Sequence, residues 1–131
     1  MEENNTFIID SNIIIYSSKK DYEFVRRWIQ NKDIGVSDVS RIEVLGYEKL
    51  RRENKDYFSI LFKKFRTFPI DEQVILKSIA LRQTKNMSLG DSIIAATSLT
   101  RNFPLLTANS KDFQHIEDLE LIDLTELQDG T

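Results

Sequence analysis

Apolar residues along this chain gather into short blocks, and the first block sets the frame for the others. Phe7, Ile8 and Ile9 form a continuous run that stops at Asp10; Ser11 and Asn12 come next, then a second run from Ile13 to Ile15. A run without polar alternation fits a strand buried on both faces, as in a parallel sheet covered by helices. Asp10 then becomes the last residue of a central strand, and ligands of such sheets collect beyond the carboxyl ends of their strands. The period changes next. Ser17 and Ser18 stand as N-caps of a helix through about Asn31, with Phe24, Val25, Trp28 and Ile29 on one face. Asp33 to Ser37 reads as a second strand, after which Ser37 or Asp38 caps a helix from Val39 to about Arg52 whose apolar stripe is Val39, Ile42, Gly46, Tyr47 and Leu50. Asn54 to Phe68 predicts a helix with Tyr57, Phe58, Leu61, Phe62, Phe65 and Phe68 on one face. Either a well-filled core or a partner surface accounts for so many aromatics. Thr67 to Ile70 gives a brief extended link, Asp71 caps a helix to about Thr84, and Ser88 begins another. Phe103 to Thr107 is a further apolar strand, and the alternation from Leu119 to Leu124 suits an edge strand.

Strands alternating with helices predict an α/β fold with a mainly parallel sheet of about five strands flanked by helices. The 131 residues are expected to form a single domain over 1–131, with residues 1–5 a frayed leader and 128–131 a disordered tail. Composition narrows the chemistry. Cysteine is absent and His115 is the only histidine, which excludes disulfides, thiolate zinc sites, a cysteine nucleophile and a histidine pair. A net charge of −3 has the wrong sign for binding nucleic acid by bulk charge, so a polyanion would need local basic patches. No segment reaches the roughly 20 apolar residues of a membrane span, and a cytoplasmic location is expected. No glycine-rich phosphate-binding motif occurs.

Catalysis would therefore rest on carboxylates, and three stand out by position. Asp10 ends a strand. Glu43 lies one turn beyond Val39, so its side chain heads inward beside apolar ones; a salt bridge or a backbone contact would also account for it. Asp91 falls in the first turn of a buried helix, yet it also sits three residues after Ser88, the spacing of a capping box. Converging carboxylates repel unless a hard cation neutralises them, which points to an oxygen-ligand site for Mg2+ or Mn2+. Asn109 and Asp112 come after the late strand and either enter the same cleft or make a turn. A phosphoaspartyl hydrolase would want a second aspartate at Asn12.

The segments IIDSNIIIY, SRIEVLGYEKL, SLGDSIIAATSL and LLTANSKDF, in that order and spacing, resemble the four motifs of PIN-domain ribonucleases, especially VapC-like toxins of toxin–antitoxin pairs. The resemblance spans nearly the whole chain and implies a PIN-like fold. It further implies metal-dependent hydrolysis of RNA, with Asp10, Glu43 and Asp91 as acidic catalytic residues and metal ligands. Asp112 matches a more variable fourth ligand; Asn12, Thr107 and Asn109 match supporting polar positions. A homodimer and a cognate antitoxin are implied as partners. Lys49, Arg51, Arg52, Lys63 and Lys64 are basic candidates for the RNA backbone. The competing expectation is a PIN-fold protein without activity that serves as a binding or dimerisation module.

Overall fold

The computed structural model describes residues 5–129. Its elements run β1 (Thr6–Ile9), α1 (Ser11–Tyr16), a 3-10 turn (Lys20–Tyr22), α2 (Glu23–Gln30), β2 (Asp33–Ser37), α3 (Asp38–Leu45) and α4 (Arg52–Lys64). They continue with β3 (Arg66–Phe68), α5 (Glu72–Thr84), α6 (Leu89–Arg101), β4 (Leu105–Thr107), a second 3-10 turn (Ser110–Asp112), β5 (Leu121–Asp123) and α7 (Thr125–Asp129). The strands form one sheet in the order β3-β2-β1-β4-β5, every neighbouring pair parallel. The expected α/β architecture with five strands is therefore the one the chain adopts.

Successive side chains of a strand point to opposite faces, and the core divides accordingly. Ile8 and Leu105 pack with Val74, Ile93, Ile94 and Ala95 under α5 and α6. Ile9 and Leu106 pack on the other face with Ile13, Ile14, Val25, Ile29 and Phe58. Gly35 on β2 makes room for a side chain of the edge strand β3: a β-carbon there would come within 2.5 Å of the Phe68 ring.

The chain leaves β1 for β2 and β3 on one side, then crosses to β4 and β5 on the other. β1 and β4 thus flank the point where the winding reverses, the place where open parallel sheets form a crevice.

Several local expectations need correction. Strand β1 ends at Ile9, and Asp10 is the N-cap of α1, its carboxylate accepting from the Ile13 N–H. The Ile13–Ile15 block is helical because that cap starts a turn at once. Ser17 and Ser18 close α1 instead of opening α2, their hydroxyls donating back to the Ile14 and Ile15 carbonyls.

Helix α3 stops at Leu45, where Gly46 turns the chain away. Its buried face is Val39, Ser40 and Val44, while Ile42 (67 %) and Tyr47 (57 %) are exposed. Phe68 belongs to β3, not to the aromatic helix, which ends at Lys64. The aromatics of α4 pack on the core, Phe58 and Phe62 buried and Tyr57 and Phe65 half-buried against them, as a well-filled core requires. At the C-terminus, α7 continues through Asp129 where a tail was expected; residues 1–4, 130 and 131 of the expected leader and tail lie outside the described residues. Among the described residues, no helix is long and apolar enough to cross a membrane.

Candidate active site

In a parallel sheet the segments that leave the strands all start from one edge, and four separate parts of the chain bring a carboxylate there. Asp10 comes directly after β1, Glu43 lies in the helix after β2, Asp91 opens the helix that leads back to β4, and Asp112 comes after β4. Asp10, Asn12, Glu43 and Asp91 line a common cleft of about 220 Å3 with Ser11.

Asp10 is 5 % exposed and held on both oxygens. One accepts from the Ile13 N–H at 3.1 Å, and the other accepts from the Thr107 hydroxyl at 2.5 Å. Thr107 is itself buried and accepts from the Asn109 N–H at 2.9 Å, so a relay of hydrogen bonds runs from the β4 loop into the cleft. Burial raises the Asp10 carboxyl from 3.8 to about 6. The Thr107 and Ile13 hydrogen bonds oppose that rise and the Asp91 charge adds to it.

Asp91 is half-buried and also pushed up, first by burial and then by the charge of Asp112, with Glu43 contributing less. The Ser88 hydroxyl draws it the other way. Ser88 does cap α6, but it does so by accepting from the Asp91 N–H at 3.1 Å. The Asp91 carboxylate thus both feels the Ser88 hydroxyl and lines the cleft among other acids.

Glu43 is exposed, not inward as its spacing suggested, because α3 rides at the carboxyl edge of the sheet and only Val39, Ser40 and Val44 meet the core. It is held at the cleft nonetheless. The Ser11 hydroxyl donates to its Oε1 at 2.5 Å and lies 3.0 Å from the buried Ser40 hydroxyl. A β-carbon at Gly90 would collide with the Glu43 carboxylate. Gly90 lowers helix propensity by about 1 kcal/mol relative to alanine, and the close approach of Glu43 is a physical reason for glycine there.

Ser11, Ser40 and Gly90 escaped sequence reasoning; the only available hint was a glycine in the first turn of an otherwise strong helix. Asp112 and Asn109 are both exposed, and of the two it is Asp112 whose charge reaches Asp91. The turn carrying Asp112 is anchored by the Ser110 hydroxyl, which donates to Asp123 at 2.6 Å. That bond and two from Thr125 hold the Asp123 carboxyl below its ordinary range.

All donors facing the cleft are oxygens, and among the described residues no lysine or arginine lines it. Among the same residues, no three acids are drawn together into a ready-made cage; they ring the cleft instead. An all-oxygen, net-negative ring fits a hard divalent cation better than a thiophilic metal.

The basic candidates divide. Lys49 and Arg51 line a second cavity of about 500 Å3 that adjoins the acid cleft at Ile15 and Glu43. Arg52 starts α4 but does not line either cavity. Lys63 and Lys64 end that 13-residue helix, about 20 Å away along its axis. They precede β3 and so lie at the amino edge of the sheet, where they do not belong to the cleft. His115 is not at the site either, and neither ring nitrogen has a hydrogen-bond partner.

A family model described as "PIN domain" matches residues 7–119. Over 127 residues the chain is 30 % identical to "Ribonuclease VapC1" of Rickettsia felis, covering 88 % of this chain and 93 % of that protein. It is 28 % identical to "Ribonuclease VapC" of Rickettsia bellii with the same coverage. Among solved structures it is similar to a toxin–antitoxin complex from Klebsiella pneumoniae, with TM-score 0.72 and 25 % identity over 88 % of this chain and 94 % of that one.

Proposed function

The chain belongs to the PIN domain family, and we propose that it is a metal-dependent endoribonuclease, the toxin of a toxin–antitoxin pair. The observation that carries this reading is the gathering of Asp10, Glu43, Asp91 and Asp112 at one sheet edge with no cation among the described residues lining the cleft. Asp10 and Asp91, whose proton affinity is raised by burial and then by neighbouring acids, are unfavourable for folding alone and make sense as ligands of a divalent ion. Asp10, Glu43 and Asp91 would hold Mg2+ or Mn2+, with Asp112 completing the set. When bound, such an ion lowers the pKa of a coordinated water and offsets charge on the phosphoryl oxygens.

The rest of the work falls to the protein. Thr107 and the Ile13 N–H fix the Asp10 carboxylate so that its oxygens face the cleft in one orientation. Ser11 does the same for Glu43. Supporting hydrogen bonds of this kind keep ligands from having to reorganise when substrate arrives.

Two partners accompany the reading. An antitoxin is supported by the relatives named "Ribonuclease VapC" and by the likeness to a toxin–antitoxin complex. A homodimer would use Ile75, Leu76, Ile79 and Leu89, large apolar residues exposed on α5 and the start of α6. The location that suits RNA as substrate is the cytoplasm.

The test is cleavage of a mixed-sequence RNA by the purified chain with Mg2+ or Mn2+, with chelator, and beside Asp10→Asn prepared identically. Metal-dependent cutting that disappears in the variant is expected. Equal cutting by both proteins would mean a contaminating nuclease and remove the proposal's support.

A further inference from the structure

Resting on the ribonuclease reading, we propose that the 500 Å3 groove beside the acid cleft is a nucleotide subsite, in which an unpaired RNA base stacks on Tyr47 while Lys19, Lys49 and Arg51 hold the adjoining phosphates. The groove exists because of a break that helical periodicity did not foresee. Gly46 ends α3, and residues 46–51 swing outward before α4 begins at Arg52. That excursion carries Tyr47, Lys49 and Arg51 to one wall; Asn54 of α4 and Lys19, beyond α1, complete the rim. Phe58 and Val44, both buried, form the floor.

Charge decides what the groove takes. The acid cleft is lined by Asp10, Glu43 and Asp91 and repels a phosphate chain, so a polyanionic substrate must be held from beside it. In the groove three cations, Lys19, Lys49 and Arg51, stand against one carboxylate, Glu43. Among the described residues Lys19 and Lys49 make no ion pair, and Arg51 has only a loose one to Glu53 at 3.8 Å, both side chains more than 70 % exposed. Their charge is therefore free for a ligand.

Glu43 and Ile15 line both cavities, so a strand lying in the groove passes directly to the carboxylates. Tyr47 presents an aromatic ring at 57 % exposure on the wall of the groove, where a planar base can stack on it. Bases stack on such rings without regard to sequence, whereas the bases of a duplex already stack on each other. The volume lies within the roughly 300–1,000 Å3 of small-ligand pockets, room for a single nucleotide. At the rim, the Asn54 amide can both donate and accept at a base edge.

The test uses the full chain carrying Asp91→Asn, so that RNA is not cut. A fluorescein-labelled single-stranded oligoribonucleotide of mixed sequence is titrated in Mg2+ over a range of salt. Tyr47→Ala is expected to weaken binding about tenfold with the salt slope unchanged, and Tyr47→Phe to retain affinity. Lys49→Ala with Arg51→Ala should flatten the slope by about 1.4, at ~0.7 per single-strand phosphate contact. Tyr47 and both cations are exposed, and unaltered circular dichroism will show that the variants fold. If affinity and slope do not move while the otherwise wild-type chain cuts RNA, the groove is not an RNA subsite and the ribonuclease reading stands. Should the same variants instead release a coexpressed protein partner with RNA affinity unchanged, the groove belongs to a polypeptide and the proposal fails. A wild-type chain that neither binds nor cuts RNA overturns both.

Discussion

The two edges of the sheet use the same pair of residue types in opposite ways. At the amino edge the Thr6 hydroxyl donates to Asp33 at 2.6 Å, and Arg66 stands 3.4 Å from the same carboxylate while also donating to Thr6 at 2.8 Å. At the carboxyl edge the Thr107 hydroxyl donates to Asp10 at 2.5 Å, but the neighbouring charge is another acid, Asp91. One threonine–aspartate pair is compensated by a guanidinium; the other is buried and left short of positive charge. Compensation marks an arrangement that serves folding. Its absence at the crevice is the contrast on which the proposed cation site rests.

The sharpest way to break this comparison is Asp10→Asn. The amide oxygen can still accept from Thr107 or the Ile13 N–H, so the cap survives while the charge goes. RNA cleavage should fall by more than about a hundredfold, beyond the ~10–100-fold typical of a supporting partner. The same variant should melt at or above wild type in chelator near pH 7.5, read by thermal denaturation. The sign comes from proton linkage. Asp10 holds its proton to about pH 6 when folded but ionises near 3.8 when unfolded. Its contribution is most favourable below 3.8, declines as pH rises and is lost above about 6, by roughly 3 kcal/mol. Wild type in chelator should therefore lose stability across that window, and Asp10→Asn should not.

Thr107→Val comes next. It keeps the volume and removes the donor, so Asp10 loses a hydrogen bond that favours its ionised form. Cleavage is expected to drop ~10–100-fold, with the pH-dependent loss of stability moved to higher pH. An unchanged rate would leave the relay from Asn109 without a role.

Gly90→Ala probes the packing of Glu43. The added methyl group displaces that carboxylate while improving helix propensity. Cleavage should fall about tenfold, the loss met with an outer support, with the melting temperature nearly unchanged. A large stability loss would instead show that the site cannot adjust.

The smallest effects belong to the amino edge. Arg66→Ala removes an exposed ion pair, expected to stabilise by less than about 1 kcal/mol, and should leave cleavage intact. Lys63→Glu with Lys64→Glu should leave the salt dependence of RNA binding as it was. A flattened slope would bring that edge into the RNA path and dissolve the contrast between the two.

Asp10 and Asp91 stood out in the chain because one follows a strand run and the other opens a helix, Glu43 because it is a carboxylate within an apolar stripe, and Asp112 and Thr107 through the resemblance to the PIN motifs. The α/β class, the capping of α3 by Ser37, of α5 by Asp71 and of α6 by Ser88 were legible as well. Caps, strand runs and helical stripes depend on neighbours in sequence. Sequence could not tell whether the acids meet. Their convergence depends on the strand order β3-β2-β1-β4-β5, which brings the end of β1 beside the end of β4 across 97 positions of chain between Asp10 and Thr107.

Tertiary structure also decided which side of α3 is buried. The repeat of 3.6 residues allows Val39–Ile42–Gly46 and Val39–Ser40–Val44 as stripes, and only packing at the sheet edge selects the second. That choice turns Glu43 to the cleft. The stop at Gly46 then separates α3 from α4 and opens the groove where Tyr47 and Lys49 stand. Local pattern specifies what each segment can be; the packing of distant segments specifies which charges are left facing one another, because burial and Coulomb interaction act through space and not along the chain.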